Sequence, residues 1–196
     1  MNSQDCTMIK MHIVLIGYRG AGKSAVGKRL ADKLSLPFYD TDELVERGAG
    51  RSIRDIVADK GWTYFRKIER EIVRKLAHMQ RGVVATGGGT VMDEGSCDIL
   101  KKHGSLIWLR ADVMTMVERM RNDGTSEERR PSFLDDDICR ETEDVLKERL
   151  PVYGRLADFS LDTTHKDIDE IVNAVCESLK TTGGLFRKEP TCQEIP

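Results

Sequence analysis

Little in this chain points to covalent cross-links, to a membrane or to a nucleic-acid surface. The five cysteines, Cys6, Cys97, Cys139, Cys176 and Cys192, are odd in number, scattered and never part of a CxxC pair. Neither a disulfide framework nor a zinc cage is therefore expected. Long apolar runs are missing too: the longest, Ile13 to Ile16, falls far short of the roughly 20 residues a bilayer-spanning helix needs. The segment Met1–Lys10 lacks the apolar core of a signal peptide, and with reduced thiols this gives the expectation of a cytoplasmic protein. No sign of charge dominates. Lys and Arg number 31 against 33 Asp and Glu, for a net charge of −2 and a pI near 6.1, so no global basic field attracts nucleic acid and only a local pocket for small anions stays open. The four histidines are dispersed, and none is assigned to catalysis or metal. No internal repeat or low-complexity tract occurs.

What is present is the composition of one soluble domain. At 196 residues, 39% apolar and 33% charged, the chain suits a single core and is too short for two domains of ordinary size. Short apolar runs at His12–Gly17, Pro37–Asp40, Gly82–Ala85, Ser105–Leu109 and Phe159–Leu161 alternate with polar or helical sequence. Val26, Leu30 and Leu34 recur at helical spacing after the first run, and Ile168, Ile171, Val172, Val175 and Leu179 mark a last amphipathic helix. Strands that alternate with helices predict an α/β fold with a five-stranded parallel sheet flanked by helices. Between the second and third runs lies an insertion in which Ser52, with Asp55 three residues on, reads as a helix N-cap. Phe65, Ile68, Ile72, Val73 and Leu76 then form one face of a longer helix. The charged stretch 122–137 has turn residues and no apolar period, and is read as a lid. The domain is expected over 11–180, with flexible tails at 1–10 and 181–196.

Gly17-Tyr18-Arg19-Gly20-Ala21-Gly22-Lys23-Ser24 satisfies G-x-x-x-x-G-K-[ST] between a predicted strand and helix. In that context the backbone amides of Gly20, Ala21 and Gly22, and those of Lys23, Ser24 and Ala25 where the helix begins, can surround phosphate oxygens. Lys23 is expected to bridge the β- and γ-phosphates of ATP, and the Ser24 hydroxyl to ligate Mg²⁺. Asp40 and Asp42 lie two residues apart at the end of the second strand, so continued extended geometry would project both to one face. One carboxylate could hold Mg²⁺ through water and the other orient the proton of an attacking hydroxyl. The alternative is that one of them caps the following helix.

The chain resembles the shikimate kinases, P-loop enzymes with a fold like that of the nucleoside-monophosphate kinases. The resemblance runs from about Ile13 to Leu179 and rests on ordered motifs. These are the phosphate loop, Asp40-Thr41-Asp42, Glu46-Arg47, Gly50-Arg51-Ser52-Ile53, Gly61 with Phe65-Arg66 and Glu69, Thr86-Gly87-Gly88-Gly89, Arg130-Pro131, and Arg149 with Pro151 and Tyr153. It implies inserted substrate-binding helices at 44–80 and a closing lid at 122–137. It also implies ATP-dependent phosphorylation of the shikimate 3-hydroxyl, a step of aromatic amino-acid biosynthesis, with Mg²⁺ held by Ser24 and, through water, by Asp40. Asp42 resembles the base that binds the shikimate hydroxyls, and Arg66 and Arg149 the pair that grips its carboxylate. Gly87, Gly88 and Gly89 resemble the turn whose amides approach shikimate and the γ-phosphate. Arg130 resembles the lid arginine on the phosphates and Arg119 the arginine over the adenine. A monomer acting on a small molecule is expected.

Two departures stand out. Trp62 occupies the place of the family's usual Glu one helical turn before Arg66, and Ser132-Phe133 follows Arg130-Pro131 where leucines are usual. The indole is expected to stack on Arg66; the alternative is that Trp62 only packs and Glu69 holds the arginine. Competing functions are another small-molecule kinase, for gluconate or a nucleoside monophosphate, and a non-catalytic binding relative. A guanidinium pair suits a carboxylate acceptor, and the intact Lys23, Ser24, Asp40, Asp42 and Arg130 suit catalysis.

Overall fold

A computed structural model describes residues 12–122 and 135–181. The interior of the expected lid, with Arg130-Pro131-Ser132-Phe133, lies outside the described residues, as do 1–11 and 182–196.

The five apolar runs are strands: β1 (His12–Ile16), β2 (Phe38–Asp40), β3 (Val83–Ala85), β4 (Gly104–Arg110) and β5 (Phe159–Asp162). All neighbours pair in parallel in the order β2-β3-β1-β4-β5. Parallel strands need crossovers, and these are α1 (Lys23–Leu34), α2 (Thr41–Ala49), α3 (Ile53–Leu76), α4 (Glu94–His103), α5 (Val113–Asn122) and α6 (Asp135–Leu156), with α7 (Ile168–Thr181) following β5.

The central strand β1 is buried on both faces, which is why it reads as an unbroken apolar run. Ile13 and Leu15 join a core with Val26 and Leu30 of α1 and Val172 and Val175 of α7. Val14 and Ile16 join one with Phe65 and Val73 of α3, Leu100 of α4 and Tyr153 of α6. Each fully buried aliphatic side chain of this kind contributes roughly 1.5–3 kcal/mol. No helix among the described residues is long and apolar enough to cross a membrane, and Cys97, Cys139 and Cys176 are free thiols.

Register sets where ligands can sit. Leu15 pairs with Ala85 and Ala85 with Asp40, so β1, β3 and β2 end at one level. The phosphate loop, the triple glycine and the carboxylates emerge side by side there, at the switch in strand order where open α/β sheets bind ligands.

Helix starts follow the sequence signals. The Ser52 hydroxyl accepts from the Asp55 amide at 3.1 Å and caps α3. Asp40 and Asp42 differ from the extended expectation. The strand stops at Asp40, which caps α2 by accepting from the amides of Asp42 (2.9 Å) and Glu43 (3.4 Å). Asp42 therefore stands in the first helical turn, because the caps of α2 outcompete another pair of ladder bonds on a short strand.

Candidate active site

The phosphate loop has positive-φ backbone, which favours glycine, in three places, the first being Gly17 at φ +142°. Gly20 has φ +72° and Gly22 φ +87°, in the left-handed region that costs other residues about 1 kcal/mol or more. Gly22 precedes α1, whose first turn has no side-chain cap, which leaves its amides to meet an anion. Lys23 is buried and donates to the Tyr18 carbonyl at 2.8 Å. Burial pulls its pKa down to about 8; Asp42 and then Asp40 oppose that by their charge, while Arg19 and Arg149 push it lower. Ser24 donates to Asp40 Oδ2 at 2.6 Å. Asp40 thus joins the loop to α2, and the two side chains present hard oxygens together.

The expected acceptor residues converge on the three consecutive glycines. A Cβ on Gly87 would stand 2.5 Å from Asp42 Oδ1, and one on Gly89 would run into the Arg66 guanidinium. Arg149 donates to the Gly88 carbonyl at 3.0 Å. Asp42, Arg149 and Arg66 each therefore lie against one glycine, and side chains at Gly87 and Gly89 would displace Asp42 and Arg66. Arg149 also lies over the Tyr18 ring, 5.5 Å from its centroid. Arg119 donates to the Gly20 carbonyl (3.3 Å), to Thr163 Oγ1 (3.0 Å) and to the Thr163 carbonyl (2.7 Å), which sets it between the phosphate loop and the segment after β5.

Glu69, which the sequence offered as the alternative anchor of Arg66, is joined in the site by Tyr153, Thr41 and Thr163, for which the sequence suggested no role. Glu69 is 1% exposed and accepts from Arg66 at 2.5 Å and from Thr90 Oγ1 at 2.7 Å, a charge-assisted bond that fixes the guanidinium. The Trp62 ring also lies 5.6 Å from the Arg66 Cζ, so the acid and the indole, expected as alternatives, both contact the guanidinium and Trp62 does more than pack. Tyr153 donates to the Gly88 carbonyl at 2.6 Å, beside Arg149 one helical turn earlier, and burial pushes its phenol up to about 12. Thr41 accepts from the Gly87 amide at 2.7 Å. Glu69 at i+3 from Arg66 was the available signal; Thr41 and Thr163 had none, since their partners are distant in sequence.

The sequence model of the shikimate kinases matches residues 19–180. A shikimate kinase of Syntrophus aciditrophicus is 44% identical over 172 residues, covering 84% of this chain and 88% of that protein. One of Rhodopirellula baltica is 38% identical over 173 residues, covering 88% and 92%. Among solved structures, a shikimate kinase from Acinetobacter baumannii in complex with shikimate superposes with a TM-score of 0.80 at 28% identity, covering 88% of this chain and 94% of that one. The shikimate kinase from Aquifex aeolicus gives 0.72 at 32% identity, covering 89% and 100%. Matched motifs, shared fold and a family match over most of its length agree: the chain belongs to the shikimate kinase family.

Proposed function

We infer that this shikimate kinase moves the γ-phosphoryl group of ATP to the 3-hydroxyl of shikimate with Asp42 as the base. The observation that carries the reading is the seating of Asp42, Arg149 and Arg66 on Gly87, Gly88 and Gly89, next to a phosphate loop with a buried lysine. Arg66 and Arg149 would take the carboxylate, because planar forks fix orientation as well as charge. The acceptor hydroxyl then faces Asp42. Its oxygen forms a bond to the γ-phosphorus, the bond from that phosphorus to the β,γ-bridging oxygen breaks, ADP leaves, and the hydroxyl proton passes to the Asp42 carboxylate. Lys23 and the amides of Gly20, Ala21, Gly22, Ser24 and Ala25 would hold the phosphates. Arg119 would border the adenine, and Arg130, outside the described residues, would add charge on the phosphates.

Ser24 and Asp40 fit Mg²⁺, since their oxygens already lie 2.6 Å apart and no cluster of three His, Cys, Asp or Glu among the described residues offers a full cage. Magnesium favours that arrangement, one or two protein oxygens with phosphate and water completing its shell. When bound it supplies neutralisation of charge on the phosphate oxygens. Ser24 would bind it directly and Asp40 through water, while Asp40 keeps α2 capped.

Asp42→Asn retains the shape of the site and loses the base, so kcat should fall at least about a hundredfold with shikimate binding retained. Coupled assay of ADP release with shikimate, quinate, gluconate and nucleoside monophosphates measures this and the acceptor together. Near-native turnover of Asp42→Asn would remove Asp42 from the mechanism.

A further inference from the structure

One charged side chain at the centre of the site has no role in the scheme above. Arg19 sits inside the phosphate loop, in a turn closed by the Ala21 amide donating to the Tyr18 carbonyl at 3.3 Å, with Gly20 at φ +72°. A Cβ on Gly20 would collide with the Met116 backbone of α5, so that side of the turn is pressed against a helix. The other side lies on the triple glycine: a Cβ at Gly88 would stand 3.4 Å from the Arg19 amide nitrogen and 3.7 Å from Arg19 Cγ. The peptide between Tyr18 and Arg19 thus has its oxygen on Lys23 Nζ, at 2.8 Å, and its nitrogen towards Gly88. Arg19 springs from the boundary between the lysine of the donor half and the glycine that carries Arg149.

We propose that Arg19 is a catalytic residue that places its guanidinium on the transferring phosphoryl group as the acceptor oxygen closes on it. Its side chain starts beside Gly88, with Cγ 3.7 Å from where a Cβ there would stand, between the glycines that seat Asp42 and Arg66. A transferring phosphoryl group spreads negative charge over its equatorial oxygens, and an arginine fork matches two of them. An arginine built into the phosphate loop supplies that contact from the loop itself. This rests on the phosphoryl-transfer reading above, and one arm of the test is independent of the acceptor.

The test compares the full chain with Arg19→Met and Arg19→Lys. In steady-state assays with shikimate and MgATP, Arg19→Met should lower kcat by about 10- to 100-fold and change either KM by less than about threefold; Arg19→Lys should recover part of the loss. In the independent arm, ADP affinity is measured by calorimetry with Mg²⁺, with and without aluminium fluoride, which mimics the phosphoryl group in flight. Arg19→Met should bind ADP as the native chain does and lose about tenfold or more of the gain that aluminium fluoride gives. Unchanged kcat, an unchanged fluoride gain, or equal weakening of ADP with and without fluoride would each overturn the proposal. Absence of shikimate-dependent turnover in the native chain would overturn the acceptor reading alone, leaving the fluoride arm to decide on Arg19.

Discussion

Lys23 illustrates how burial sets the working range of a single residue. Desolvation lowers its pKa to about 8 against the pull of Asp42 and Asp40, so in the free enzyme roughly nine-tenths of it is charged at pH 7 and about a tenth at pH 9. Phosphates of bound ATP bring negative charge to the ammonium and shift it back towards its ordinary range. kcat/KM for ATP reports the free enzyme, and it should fall on the alkaline side with a midpoint near 8, whereas kcat should hold to higher pH. Tyr153 does not obscure the profile, because its phenol is pushed up to about 12. A pH series from about 6.5 to 10 on native enzyme decides the matter. An alkaline limb that first appears near the ordinary lysine value would show that the free site already holds Lys23 fully charged.

The helix α3 shows what neighbouring residues in sequence disclose and what they leave open. The Ser52 cap and the apolar face from Phe65 to Leu76 were legible from periodicity and capping chemistry, because both are local. The break at Gly61, with φ +78°, was not: a lone glycine inside a helical pattern is usually tolerated, and only the backbone angle separates a break from a weak spot. Likewise, continued strand geometry predicted one face for Asp40 and Asp42, yet a cap ended the strand first. The break makes Trp62 the first residue of the second half, half exposed, in edge contact with Phe65 and 5.6 Å from the Arg66 Cζ. Arg66 is already bonded to buried Glu69, so the indole adds to an anchored guanidinium and does not create its position. A cation–π contact at an exposed site is worth about 0.5–1 kcal/mol, so Trp62→Ala should raise the KM for shikimate roughly two- to fivefold with little change in kcat. Trp62→Glu, which restores an acid four residues before the arginine, should recover most of it. In a Trp108→Phe background, emission from Trp62 should respond to shikimate. A KM unmoved by Trp62→Ala, with silent fluorescence, would leave orientation of Arg66 to Glu69 alone.

At the scale of the whole molecule, the sheet was the most legible feature. Each strand is short, apolar and bounded by turn residues, and the phosphate loop fixed which end carries the site. Strand order and long-range side-chain bonds have no such local mark. His12 is the clearest case: it opens β1, and its Nε2 hydrogen-bonds the Leu76 carbonyl at 2.8 Å at the end of α3. Its other ring nitrogen is buried and has no hydrogen-bond partner among the described residues. Burial lowers its pKa, and the carbonyls of Leu76 and Gly82 only partly oppose this, with His103 lowering it further. Because the folded-state pKa lies below the ordinary 6.5, the unfolded chain takes up a proton first as pH falls. The stability that goes with neutral His12 is therefore fully present above pH 6.5 and is lost as pH drops from there through the folded-state value. The slope is at most about 1.4 kcal/mol per pH unit, the limit for one proton. His12→Gln keeps a donor towards Leu76 and cannot titrate. Urea unfolding of the two proteins at steps from pH 8 to 5 should show them diverging in slope only below about 6.5, with the native chain losing stability faster. Parallel curves through that window would mean that the buried imidazole accepts its proton without cost, and that the acid sensitivity of the fold lies in its carboxylates.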